Sequence, residues 1–243
     1  MFRSGQRRTK PITVSFSGID GAGKSTQIEI LRSCLIDSGY CVRSLTFWDD
    51  VAWLTGLREF TSHKLFHSER GVGSRGRPVR RRDKNVRSRP MTAVRFCLYF
   101  LDALSLTMAT AKARMSRADV IIFDRHVYDE LANLPLEHSL ARLYARSLLS
   151  LVPSPDLAFL LDADPSAACE RKPEYPLDFL QANRSAYLQL GQIGGMTVIA
   201  PGSAIEVSER VMRHFLRKLT HTGQPLLTTA APCNPPAEQK LPR

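Results

Sequence analysis

Residues 18–26 read Gly18-Ile19-Asp20-Gly21-Ala22-Gly23-Lys24-Ser25-Thr26, which has the form G-x-x-x-x-G-K-[ST]. This form is a phosphate loop when it joins a strand to a helix. The run before it, residues 12–16, is apolar and β-branched, and apolar side chains recur at helical spacing after it. The sequence therefore predicts a strand, a glycine-rich phosphate loop and a helix in that order.

The residue types in this loop suit a nucleoside triphosphate with a bound magnesium ion. Glycines allow successive backbone N–H groups to point inward, and the start of the helix adds the positive end of its dipole. Lys24 can reach the β- and γ-phosphates, and the Ser25 hydroxyl can bind Mg²⁺. We therefore expect ATP and Mg²⁺ as cofactors, with residues 18–26 contacting ATP. A chance glycine turn is the alternative, and four fixed positions in the correct context argue against it.

Length and composition indicate one globular domain. The 243 residues fit a single α/β domain of ordinary size. The chain has no apolar run of transmembrane length and no apolar segment in its basic head, so we expect neither a membrane helix nor a secretory signal. The five cysteines are scattered without a C-x-x-C pair, which favours a reducing compartment over a zinc site. We therefore expect a cytoplasmic protein that does not bind membranes.

The net charge of +11 is concentrated in two segments. Residues 1–10 contain four basic and no acidic residues, and residues 67–90 contain nine basic residues against two acidic ones. The remaining chain is neutral, so we expect no specific nucleic-acid partner. We interpret residues 1–10 as a disordered head, 11–220 as the folded domain with an inserted basic loop at 67–90, and 221–243 as a disordered tail.

Apolar strand-like runs alternate with helical patterns along the folded domain. The pattern predicts strands at 12–16, 41–47, 119–123, 156–161 and 196–200. A long helix over residues 91–118 is apolar around much of its circumference, so we expect it to be mostly buried. Strands that alternate with helices predict an α/β fold, a three-layer sandwich around a parallel sheet. In such sheets ligands bind at the carboxyl ends of the strands.

Charged residues follow the third and fourth predicted strands. Asp124 closes an apolar strand, where a carboxylate can hold Mg²⁺ opposite Ser25. Arg125 places a guanidinium beside a phosphoryl group, although a surface ion pair is the alternative. Residues 170–177 form a short segment between two helices, which we interpret as a lid over the phosphates or as a solvated helix end. Asp164, before Pro165, is expected to cap a helix rather than to act in catalysis.

Three motifs resemble the thymidylate kinase family of nucleoside monophosphate kinases. They are residues 16–27 with the acidic Asp20, then Asp124-Arg125-His126, and then residues 155–165 with the short segment that follows. The resemblance implies the P-loop NTPase fold with a five-stranded sheet in the order 2-3-1-4-5. It implies transfer of the γ-phosphoryl group of ATP to a nucleoside monophosphate, usually dTMP, which gives dTDP. It also implies a homodimer that forms through the long helix.

The resemblance assigns roles to individual positions. Asp20 would contact the acceptor sugar, Lys24 the ATP phosphates, and Arg125 the acceptor phosphate. Gly21 is not basic, so the chain resembles the subgroup whose basic catalytic residue lies in the lid. Arg171 is that candidate, with Lys172 behind it. The acceptor site is completed by two further candidates, Phe47 after the second strand and Asp102 in the long helix.

The chain departs from the family on the acceptor side. Asp49 and Asp50 stand where the family has a basic residue, and Asp102-Ala103 stands where it has an Asp-Arg pair. The basic loop at 67–90 could replace the two absent cations. Alternatively, the acidic residues could recognise hydroxyls or amines on a different small-molecule acceptor. A third alternative is a P-loop ATPase or switch that acts without a small-molecule acceptor.

Overall fold

The computed structural model describes residues 10–47 and 89–222, and every structural statement below concerns those residues. Most of the predicted head and tail, residues 67–88 of the basic loop predicted at 67–90, and the candidates Asp49 and Asp50 lie outside them. The last two residues of that predicted loop begin a long helix instead. The description therefore bears on the phosphate loop, the sheet and the helices within residues 10–47 and 89–222.

Five parallel strands form one sheet in the order β2-β3-β1-β4-β5. They are β1 (Ile12–Ser17), β2 (Val42–Thr46), β3 (Val120–Asp124), β4 (Leu157–Leu161) and β5 (Thr197–Ile199). All six residues of β1 are buried, as expected for a central strand covered on both faces. The predicted sheet and its strand order are confirmed.

Seven helices lie in the described residues. They are α1 (Lys24–Asp37), α2 (Arg89–Arg114), α3 (Val127–Leu131), α4 (Ser139–Leu151), α5 (Pro165–Arg171), α6 (Leu177–Gly194) and α7 (Ala204–Thr222). Because α7 ends at Thr222, the first two residues of the predicted disordered tail are helical. The sequence did not predict α3, since five residues are too few to show helical periodicity.

Alternate side chains of the central strands enter two separate cores. Ile121 and Leu160 pack in one core with residues of α2, α3, α4 and α6, whereas Ile122 and Leu161 pack in the other with residues of α1 and α7. Successive side chains of a strand point to opposite faces, so the two cores lie on the two sides of the sheet. The architecture is the predicted three-layer sandwich.

The long helix α2 is less buried than its composition suggested. Phe100, Leu104 and Met108 lie one turn apart on one side of the helix, and each is at least half exposed. The buried side instead carries Arg95, Tyr99, Asp102 and Leu106. The expectation of a mostly buried apolar helix was therefore wrong for this outer face, because periodicity does not reveal which face meets the core.

The strand register brings the phosphate loop beside the end of β3. Phe16 of β1 pairs with Asp124 of β3, and Ser17 of β1 pairs with Leu160 of β4. Three strands therefore end at one edge of the sheet, and the segments that leave them lie close together. This edge carries the candidate site.

Candidate active site

The phosphate loop packs closely against helix α5. Gly21 has a φ of +85°, and a Cβ built there would lie 2.5 Å from the carbonyl oxygen of Ala168 in α5. Gly23 has nearly the same φ, +87°, but a Cβ there would meet nothing within 4 Å. At Gly21, both the positive φ and the close approach of α5 therefore require glycine. At Gly23, only the positive φ requires it.

Helix α1 begins directly after Gly23, and its own first turn does not neutralise the positive end of the helix dipole. No side chain caps it by hydrogen bonding, and its first turn contains no acidic residue. The first N–H groups of a helix lack intrahelical partners, and the positive end of the dipole attracts anions. Ser25 and Thr26 are exposed in this first turn. This arrangement suits a phosphate group at the start of α1.

Lys24 is buried beneath the loop that it belongs to. Its Nζ donates hydrogen bonds to the carbonyl oxygens of Gly18 (2.7 Å) and Ile19 (2.9 Å), and it lies 4.0 Å from Asp20 Oδ1. Burial and the nearby Arg125 cation lower the pKa of Lys24 to about 8, although the carboxylates of Asp20 and Asp129 oppose this shift. The Lys24 amine is therefore held by backbone carbonyl groups of the phosphate loop.

Arg125 faces the phosphate loop from the end of β3. Its Nη2 donates a 2.7 Å hydrogen bond to Asp20 Oδ1. Its φ of +72° is positive, which no other non-glycine residue shows within the described ranges. Burial alone would lower the pKa of Arg125, but the carboxylates of Asp129 and Asp20 raise it above its ordinary value. The site therefore holds a permanent cation in a strained backbone conformation.

A buried carboxylate that the sequence analysis missed lies behind Arg125. Asp129 of α3 accepts hydrogen bonds from Ser17 Oγ (2.7 Å), the His126 amide (3.0 Å) and Tyr187 Oη (2.8 Å). Burial, together with the neighbouring Asp129 carboxylate, raises the pKa of Tyr187 well above its ordinary value. The sequence did contain one signal that could have drawn attention to Asp129. It follows His126 by three residues, which is the spacing between the two ends of a capping box.

A small, open cleft lies between the phosphate loop, α3 and α6. Five of its lining residues had no role assigned from the sequence, because they come from α3, the turn after it and α6. The complete lining is Gly18, Asp20, Arg125, Asp129, Asn133, Phe179, Asn183 and Tyr187.

Of the predicted site residues, only Gly18, Asp20 and Arg125 line this cleft. Phe47 is 1% exposed and lies in the core, and Asp102 is 2% exposed on the inner side of α2. Arg171 is exposed at the end of α5, and its Nε donates to the carbonyl oxygen of Ala167 at 3.2 Å. Lys172 forms a 3.3 Å ion pair with Glu174. Much of the cleft wall comes from α3 and α6 and not from the residues that the sequence predicted.

The aspartates after β4 have structural partners. Asp162 receives two hydrogen bonds from Arg184, at 2.6 and 2.8 Å. Asp164 Oδ2 accepts from the amide of Ala167 at 2.8 Å, which confirms its predicted role as the cap of α5. Neither side chain lines the described cleft.

Helix α2 carries a buried cation at a position that the sequence analysis did not consider. Ala103, which stands in place of the family's arginine, is 4% exposed. Arg95, two turns earlier on the same side of the helix as Asp102, is 1% exposed. Its Nη1 donates to the carbonyl oxygen of Asn133 at 3.3 Å, and Asn133 lines the cleft. A positive charge therefore lies behind the part of the cleft wall that Asn133 forms.

Several curated proteins that are similar to this chain are named thymidylate kinase or probable thymidylate kinase. A thymidylate kinase of Bifidobacterium longum strain DJO10A is 26% identical over 187 residues, which cover 73% of this chain and 82% of that protein. A probable thymidylate kinase of Methanothermobacter thermautotrophicus is 24% identical over 208 residues, covering 84% and 93%. One of Archaeoglobus fulgidus is 24% identical over 207 residues, covering 82% and 92%. The resemblance to this family that the motifs indicated is confirmed.

The chain matches no protein-family model. Among residues 10–47 and 89–222, no helix is long and apolar enough to span a membrane.

Proposed function

We propose that this chain, a relative of thymidylate kinases, is a nucleotide kinase that transfers the γ-phosphoryl group of ATP to a nucleoside monophosphate, with dTMP as acceptor and dTDP as product. The observation that carries the proposal is the contact between Arg125 and Asp20, at 2.7 Å. It brings a permanent cation and the acidic residue of the phosphate loop together in one cleft, beside the Lys24 amine. Phosphoryl transfer requires cations around the transferred group and a polar group that orients the acceptor.

The residues present fit ATP and Mg²⁺. The uncapped N-terminus of α1 and the open space beside Gly23 leave room and N–H donors for phosphate oxygens. No group of three or more metal-ligating side chains occurs in the described part of the chain, which suits an ion held mainly by phosphate oxygens and one or two side chains. Ser25 and Asp124 would hold Mg²⁺, which when bound neutralises charge on the phosphates.

The chain's own residues have distinct roles in this proposal. Lys24 exchanges a loop carbonyl for a phosphate oxygen and neutralises charge on the transferred group. Arg125 binds the acceptor phosphate, and Asp20 orients both Arg125 and the acceptor sugar. Side chains of α3 and α6 line the cleft beside these charged groups.

Arg171 is the proposed cation of the lid at residues 170–177. Its helix contacts the phosphate loop, since the backbone of Ala168 lies against Gly21. Arg171 follows Ala168 by three residues, which is nearly one turn of the same helix. A basic side chain at Gly21 would collide with α5, so the second catalytic cation has to come from elsewhere. Closure of the lid over bound ATP would bring Arg171 to the phosphates.

A different small-molecule acceptor is the second candidate. The absence of a charge at Ala103 favours it, because a phosphate dianion loses one expected partner there. Arg95 favours the monophosphate instead, since it puts a buried positive charge beside Asn133. An assay that identifies the acceptor therefore decides between a nucleoside monophosphate and a different small molecule.

The outer face of α2 supports a homodimer. Phe100, Leu104 and Met108 are 50%, 53% and 51% exposed, and they form an apolar stripe along this helix. Apolar stripes of this kind commonly mark protein interfaces. Leu104→Asp should convert a dimer to a monomer in sedimentation experiments without altering the core.

An ADP-release assay tests the proposed function directly. ATP and Mg²⁺ are supplied with dTMP, dUMP, other nucleoside monophosphates, nucleosides and sugars in turn. ADP release that depends on dTMP supports the proposal, and release that depends on a non-nucleotide supports the second candidate. ADP release without any acceptor indicates an ATPase or switch. Lys24→Ala should abolish turnover, and unchanged turnover would reject the phosphate loop as the site.

A further inference from the structure

We propose that Asp129 is a positioning residue of this site, whose buried carboxylate holds the turn that aims Arg125 across the cleft at Asp20. The inference rests on the proposed function for its kinetic consequences, and it adds a residue to which neither the motifs nor the resemblance assigned a role. Its basis is a set of hydrogen bonds that joins three elements of the fold around one carboxylate.

Both oxygens of the Asp129 carboxylate are occupied by protein donors. Oδ2 accepts from Ser17 Oγ at the end of β1 and from the His126 amide, and Oδ1 accepts from Tyr187 Oη on α6. Donors on both oxygens fix the direction of the carboxylate. Because both oxygens are engaged by protein groups from three elements, we assign Asp129 the role of placing its neighbours.

The neighbour that needs placing is Arg125. Its left-handed φ of +72° costs free energy for a residue with a side chain, so the surrounding structure has to hold it. Asp129 binds both backbone polar groups of His126, the residue that follows Arg125. The His126 amide donates to Asp129 Oδ2 at 3.0 Å, and the Asp129 amide donates to the His126 carbonyl oxygen at 2.9 Å. The negative charge of Asp129 also attracts the Arg125 guanidinium.

A purely structural role for Asp129 makes a different prediction. In that case its loss would weaken folding without a selective effect on the acceptor. Asp156 provides the matched control, because its carboxylate also anchors β1, accepting from the amide (3.0 Å) and the Oγ (2.8 Å) of Thr13. Thr13 lies near the amino end of β1, whereas the cleft opens at the carboxyl end. Asp156 is absent from the cleft lining.

The first experiment compares Asp129→Asn with Asp156→Asn in steady-state assays with MgATP and dTMP. For Asp129→Asn we expect the kcat/KM for dTMP to fall about 10-fold to 100-fold, because a misplaced Arg125 no longer orients the acceptor. The KM for ATP should change less than about twofold, since the loop contacts of Lys24 are intact. Asp156→Asn should leave both parameters unchanged. Equal losses of kcat/KM in the two variants, or a parallel rise in the KM for ATP, would overturn the proposal.

Ser17→Ala keeps the proposal testable if Asp129→Asn does not fold. Ser17 is fully buried, does not line the cleft, and its Oγ donates to Asp129. Removing this donor loosens the carboxylate and should lower kcat/KM for dTMP about threefold or more, again without raising the KM for ATP. A folded Ser17→Ala variant with wild-type kinetics for dTMP would contradict the inference.

A folding measurement separates this inference from the proposed function. Arg125→Gly removes both the left-handed strain, because glycine adopts positive φ without cost, and the guanidinium that Asp129 attracts. If Asp129 positions Arg125, the two residues are energetically coupled, so the factor by which Asp129→Asn raises the unfolding equilibrium constant should differ about fivefold between the Arg125→Gly background and the wild type. Equal factors in both backgrounds would overturn the inference, whatever acceptor the protein uses. If no acceptor is phosphorylated, the proposed function fails and this measurement still decides the role of Asp129.

Discussion

The contact between the phosphate loop and α5 can be tested with two alanine substitutions. Gly21 and Gly23 have φ values of +85° and +87°, so alanine at either position carries the same backbone strain, about 1–2 kcal/mol. Only at Gly21 does the new Cβ approach another group, the carbonyl oxygen of Ala168 at 2.5 Å. Relieving an overpacked contact of this kind costs about 1–3 kcal/mol more. We therefore expect losses of about 2–5 kcal/mol for Gly21→Ala and about 1–2 kcal/mol for Gly23→Ala.

Urea unfolding of the nucleotide-free protein measures both losses. The midpoint concentration should fall for both variants, and it should fall further for Gly21→Ala, with similar slopes. The difference between them isolates the contact with α5, because the strain at the two glycines is the same. Equal midpoints for the two variants would refute the packing of the loop against α5. They would also remove the physical reason for placing the second catalytic cation in the lid.

Three further substitutions test other parts of the structure. Burial lowers the pKa of His126 to about 3, whereas the unfolded chain binds its proton near 6.5, so stability should fall as the pH falls from 6.5 towards 3. His126→Phe should reduce that slope by up to about 1.4 kcal/mol per pH unit in acid unfolding, and an unchanged slope would argue against a buried neutral ring. Asp164→Ala should cost about 1 kcal/mol through loss of the α5 cap, measured by urea unfolding, and no change would contradict the cap. Arg95→Met should cost about 1.5–3 kcal/mol by the same measurement, because it removes a buried charged donor to Asn133, and wild-type stability would show that this bond contributes nothing.

The phosphate loop and the sheet were predictable because their signals are local. Glycines at fixed spacing, a lysine and a serine between an apolar strand and a helix leave few alternative structures for residues 18–26. The runs that became β3 and β4 are continuous and apolar because both of their faces are covered. The strand order followed from the resemblance, which rests on those same local motifs. The positions of Asp124 and Arg125 at the end of β3 followed from the strand itself.

The wall of the cleft could not be predicted because its residues are brought together by packing. Asp129 and Tyr187 are 58 residues apart in the chain and share a hydrogen bond only because α3 and α6 meet in the core. Likewise, the spacing in α2 showed which side chains share a face, but the packing of the helix against the domain turned Arg95 inward and Phe100 outward. The amino-acid sequence thus specified the phosphate-binding chemistry, since one continuous segment carries it. Helix packing specified the wall of the cleft, since that surface exists only where distant segments touch.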